Sequence, residues 1–186
     1  MKKFVMKYGV LLLIMAIMAG CGTSTNSHNS SSAPKSQGEK QDKETESKQV
    51  DLHVGETGTV KDTLGKYRVT LNSVQRKPEI EGKKLPNESF LIVNITIKNI
   101  GNKVIDAQDV ISAVKLLDSD EAGSDNRARN FKKIELIKGK LSKGQKTSGE
   151  LVFDVFKSDY YNLVWNNGFS SLSNEVSWKI TPEDLK

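Results

Sequence analysis

The amino-acid sequence predicts an all-β domain, an antiparallel sandwich, occupying the last three-quarters of the chain. Three observations carry this. Apolar residues alternate with polar ones at period two in segment after segment. Clusters of Asn, Gly, Asp and Ser separate those segments at turn-like spacing. No stretch longer than ten residues keeps an apolar stripe at helical period. Short strands joined by turns within one domain length are the pattern of two packed sheets.

The chain opens differently. Lys2, Lys3 and Lys7 make the start basic, with no acid, and an apolar run follows over residues 8–20. A membrane-crossing helix needs about 20 apolar residues. This run is shorter and ends in Ala19-Gly20, so residues 1–20 are expected to be a signal peptide rather than an anchor helix. The junction Met18-Ala19-Gly20-Cys21 resembles the bacterial lipobox. That resemblance implies that Cys21 receives a diacylglycerol and becomes the new N-terminus after cleavage. Cys21 is the only cysteine, so no intramolecular disulfide can form, and a lipid thioether accounts for an odd cysteine in an exported chain. Several acyl chains hold a protein stably where one alone is marginal.

Residues 21–50 are rich in Ser, Thr, Asn, Gln, Lys and Glu and contain no aromatic. Such a composition buries too little apolar surface to offset the entropy of ordering. A disordered tether is expected there, with an r.m.s. span of roughly 30 Å. Its His28 has no second His nearby and is not read as a ligand.

The domain expected over residues 51–186 is long enough for one core without disulfides. Tyr67, Val69 and Leu71 alternate with Arg68 and Thr70; Leu91, Val93, Ile95 and Ile97 follow the same rule, ending at Asn99-Ile100-Gly101-Asn102. Val114 and Leu116 precede a polar turn at residues 118–125. Leu151, Phe153 and Val155 give a further strand; Tyr161, Leu163 and Trp165 another; Val176, Trp178 and Ile180 the last, before Pro182. Six or seven strands are expected, with a core containing Leu91, Val93, Ile95, Leu151, Phe153, Trp165 and Trp178. Residues 108–114 or 130–137 are expected to hold a short helical turn.

Three stretches resemble the DUF4352 domains of bacterial lipoproteins. They are Gly55-Glu56-Thr57-Gly58 with the strand from Tyr67 to Val74, the strand from Phe90 to Gly101, and Leu141 to Phe153 with its central turn. The resemblance covers about residues 52–180. It implies an immunoglobulin-like β-sandwich and an extracytoplasmic location, and it implies no catalytic residue.

The residues themselves offer little chemistry. Nucleophilic catalysis needs a base beside the nucleophile. The domain has one histidine, His53, read as an exposed edge residue, and no G-x-S-x-G elbow. The acids of residues 118–125 fail as an EF-hand, whose fifth and twelfth positions here are Ala122 and Arg129, so a solvated turn is expected and no metal site. No cofactor is implied. Lys2, Lys3 and Lys7 leave with the signal peptide and take the formal charge from +5 to +2, too weak a balance to indicate nucleic acid.

Arg127, Arg129, Lys132 and Lys133 form the strongest charge feature, with no acid among residues 127–133. They are the candidate site for an anionic ligand such as a wall polymer or lipid headgroup, set against the plainer reading of solubilising loop charges. Among the C-terminal aromatics, Tyr160 and Phe169 are the surface candidates, while Tyr161, Trp165 and Trp178 alternate inward. The function expected is a binding or protein-interaction module of the cell envelope, held on the extracytoplasmic face of the membrane through Cys21. The competing class is a wall-modifying hydrolase using carboxylates that the sequence does not assemble.

Overall fold

A computed structural model describes residues 49–84, 87–112, 114–165 and 173–186. The expected signal peptide, Cys21, almost all of the expected tether and Phe169 lie outside the described residues.

The first sheet contains β1 (Gln49–Leu52), β11 (Val176–Ile180), β10 (Tyr161–Trp165), β6 (Val114–Asp118) and β7 (Gly123–Ser124), in that order. The second contains β2 (Thr57–Lys61), β3 (Lys66–Lys77), β4 (Ser89–Asn99) and β9 (Lys146–Val155). A short pair, β5 (Ile105–Asp106) with β8 (Lys140–Leu141), and helix α1 (Ala107–Ile111) add Ile105, Leu141, Ala107 and Val110 to the core. Among the described residues no helix is long and apolar enough to cross a membrane.

This is the immunoglobulin-like β-sandwich expected, with more strands than anticipated and one strand pair that departs from antiparallel pairing. β1 runs parallel to β11 and begins at Gln49, two residues ahead of the expected domain start. The chain changes sheets at the turn between β1 and β2, where Glu56 N donates to the His53 carbonyl.

Period two makes the core. Tyr67, Val69 and Leu71 point inward from β3, and Leu91, Val93, Ile95 and Ile97 from β4. All seven core residues named above are fully buried. The inward parity of β3 changes from Leu71 to Val74 because Asn72 is a bulge opposite β4. Trp165 and Trp178 meet edge to face, 6.0 Å between centroids, and Trp178 Nε1 donates to the Glu56 carbonyl (3.1 Å). Such an aromatic pair is worth about 0.5–1.5 kcal/mol beyond its buried area.

β2 is not evident from alternation because only one of its two inner positions, Val60, is apolar, the other being Gly58. A Cβ there would stand 2.4 Å from Val176 Cγ1, so only glycine lets β2 lie this close to β11. The expected helical turn at residues 108–114 is α1, one residue earlier and shorter, capped by Asp106, whose Oδ1 accepts from Gln108 N. The one at 130–137 is not found. A single 3-10 turn at Ala128–Asn130 ends where it was expected to begin, and residues 131–137 run without helix.

Candidate functional site

β4 is buried on both sides at its start, since Phe90 and Ile92 are covered as well as Leu91 and Val93. What covers Phe90 and Ile92 is the segment carrying the predicted basic residues. Ala128, Phe131 and Ile134 join Phe90, Ile92, Val152 and Ile80 in a second apolar cluster outside the sandwich. Phe131 meets Phe90 edge to face at 5.4 Å.

The same segment, residues 126–137, closes the open edge of β9. Arg127 N donates to the Val152 carbonyl (2.7 Å), and Asn126 Oδ1 accepts from Val152 N (3.1 Å). Further along, Glu150 N donates to the Glu135 carbonyl (2.7 Å). The backbone groups of an edge strand are therefore satisfied by this strap rather than left for another chain.

Burying Ala128, Phe131, Ile134 and Ile137 leaves the residues between them outside. Arg127, Arg129, Lys132 and Lys133 are all exposed. They do not form one cluster. Lys133 N donates to a Glu81 carboxylate oxygen, which brings the strap beside the β3–β4 connection. There Lys83 joins the basic group: its Nζ donates to the Asn130 carbonyl (3.1 Å) and stands 5.5 Å from the Phe131 centroid. Lys132 and Lys138 line a shallow depression with Glu135, Thr147 and Ser148. Arg127 instead lines a separate cleft of about 200 Å³ with Asn87, Asp118, Ser124, Asp125, Asp154 and Phe156.

In that cleft Asp154 is only 6% exposed, and its Oδ1 has no hydrogen-bond partner among the described residues. Burial pushes its carboxyl above the usual carboxylate range, against the opposing pulls of the Arg127 guanidinium and the Asn87 backbone amide. Asp118 is committed to its own turn, where Oδ1 accepts from Asp120 N and Ala122 N. The acidic stretch is thus a hairpin turn between β6 and β7. Among the described residues no three His, Cys, Asp or Glu side chains converge as metal ligands.

His53 is exposed in the turn after β1. Tyr160 is half-buried, with Lys179 Nζ 4.5 Å from its ring centroid. Among the described residues the exposed large aromatic is Phe156, at 58%, which was not singled out from sequence. Its position two residues beyond Asp154 on the outward parity of β9 was the available signal.

A family model described as a domain of unknown function, DUF4352, matches residues 52–175. The fold is similar to that of a candidate lipoprotein of Bacillus subtilis, YcdA, with TM-score 0.55 and 16% identity. That match covers 72% of this chain and 40% of the Bacillus chain, so this chain spans well under half of that protein. It is also similar to the secreted protein MPT63 of Mycobacterium tuberculosis, with TM-score 0.54 and 15% identity over 72% of this chain and 98% of the other. No curated protein sequence matches this chain.

Proposed function

This chain belongs to the DUF4352 family, and from that premise we propose that it is a non-catalytic binding module of the bacterial cell envelope. In this reading lipid on Cys21 holds it at the extracytoplasmic face of the membrane, and the tether lets the sandwich reorient. The strap presents its cations to a phosphate-bearing anion, either a wall polymer or a lipid headgroup.

One observation carries the reading. The strap is pinned to β9 and to Phe90 by its buried residues, while Arg129, Lys132 and Lys133 are exposed with Lys83 beside them. Cations on a fixed backbone lose less entropy on binding than cations on a free loop. Hydrolysis is less well supported, because it needs a working partner for Asp154. Asp118 spends its Oδ1 on its own turn, and Asp125 is exposed on the loop.

The test uses the full chain reconstituted in neutral phosphatidylcholine vesicles. One arm adds soluble poly(glycerol phosphate), the other the free headgroup glycerophosphoglycerol. Binding in either arm should fade as ionic strength nears roughly 1 M, where screening acts within about 3 Å. Replacing Arg129, Lys132 and Lys133 with Gln should weaken it at least tenfold. Salt-insensitive binding that survives the replacement would overturn the reading.

A further inference from the structure

The cleft beside the strap differs in chemistry from the basic surface, and nothing in the reading above uses it. Asp154 and Phe156 project from the same face of β9 and its extension into this cleft. Asp154 is more than nine-tenths buried, yet Oδ1 receives no hydrogen bond from any described residue. A buried carboxylate oxygen without a donor is costly, and a ligand that brings one recovers that cost. Its carbonyl is already satisfied by Ser124 Oγ (2.7 Å), so of these acceptors only Oδ1 is left open.

The surrounding groups restrict what the donor belongs to. Asp125 and Asp154 disfavour an anion, and Arg127 beside Asp154 disfavours a cation. Asn87, Ser124 and Arg127 add donors and acceptors around the carboxyl. A neutral group that both donates and accepts fits this set. Phe156 contributes an exposed apolar ring at the same cleft.

We infer that this cleft binds a neutral saccharide unit, with a ring hydroxyl donating to Asp154 Oδ1 and the C–H face of the sugar ring against Phe156. The inference does not depend on the strap: a neutral sugar is held by hydrogen bonds and apolar contact, so its binding is insensitive to salt.

The experiment titrates the full chain in neutral vesicles with tetrasaccharides of β-1,4-linked N-acetylglucosamine, glucose and mannose, with de-acetylated glucosamine tetrasaccharide and Ca²⁺ as charged probes. At least one neutral tetrasaccharide should bind equally at low and high salt, and equally to the Arg129, Lys132 and Lys133 to Gln variant. Phe156→Ala, at an exposed position, should weaken binding at least tenfold without lowering the unfolding temperature appreciably. Asp154→Asn should weaken it about tenfold through loss of the charge-assisted bond. Failure of every neutral probe, binding only of the amine or of Ca²⁺, or neutral binding unaffected by both substitutions would overturn the inference. Failure of the unsubstituted chain to bind either phosphate probe, with neutral sugar binding intact, would count against the proposed function alone.

Discussion

The Asn99 side-chain nitrogen lies 2.8 Å from the Leu141 carbonyl oxygen and joins the end of β4 to β8, 42 residues later. The same amide donates to the Lys103 carbonyl (2.7 Å), and its oxygen accepts from Gly101 N (2.9 Å). Asn99 is fully buried, so both its nitrogen protons and its oxygen find partners inside the fold. Asn99→Ala removes all three bonds from a buried position. Stability should fall by about 2–4 kcal/mol, read as a lower denaturation midpoint of the full chain. A loss under about 1 kcal/mol would show that water replaces the amide there.

Gly149 is a place where the strap comes close against β9. A Cβ on it would stand 2.7 Å from both the Glu135 carbonyl oxygen and Ile137 Cγ1. Backbone oxygen cannot turn aside as a flexible side chain does. Gly149→Ala should therefore cost about 1–3 kcal/mol and loosen the strap locally. Hydrogen exchange should show the Glu150 amide, bonded to Glu135, losing protection before the Leu151 and Phe153 core. Unchanged protection at Glu150 would contradict the strap contact.

Asp154 gives a pH signature. Its carboxyl is raised in the folded state, so the folded chain holds that proton to higher pH than the unfolded chain does. Stability from this group is therefore present below the ordinary value of 3.8 and is lost as pH rises through the raised folded value. Asp154→Asn, which cannot ionise, should unfold at a higher temperature than the parent at pH 7. The difference should vanish near pH 4 or below, within about half a unit of the ordinary value. An equal difference at both pH values would place the effect in packing instead.

Much of the sandwich was legible because alternation reports a strand with one face buried. Tyr67 to Leu71, Leu91 to Ile97 and Leu151 to Val155 lie as their period requires. β2 was hidden because one of its two inner positions is Gly58, which carries no apolar signal and leaves Val60 alone to mark the inward face. The strap was harder to read. Phe131, Ile134 and Ile137 sit among lysines, and the signal for a second cover was Phe90 and Ile92 on the outward parity of β4 with Val152 on that of β9. Asp154 read as an ordinary outward residue between Phe153 and Val155. It shares its cleft with Ser124 and Arg127, some 30 residues earlier in the chain, a relation that no local pattern contains.

The account stands or falls on the address of the molecule, since both proposed surfaces meet envelope ligands only if the sandwich is tethered outside the membrane. Metabolic labelling with a radioactive fatty acid, followed by fractionation of cells expressing the full chain or Cys21→Ser, tests this directly. The account predicts label and membrane association in the wild type. In the variant it predicts no label, with the protein released or retained as uncleaved precursor. Equal label in the two proteins would contradict it.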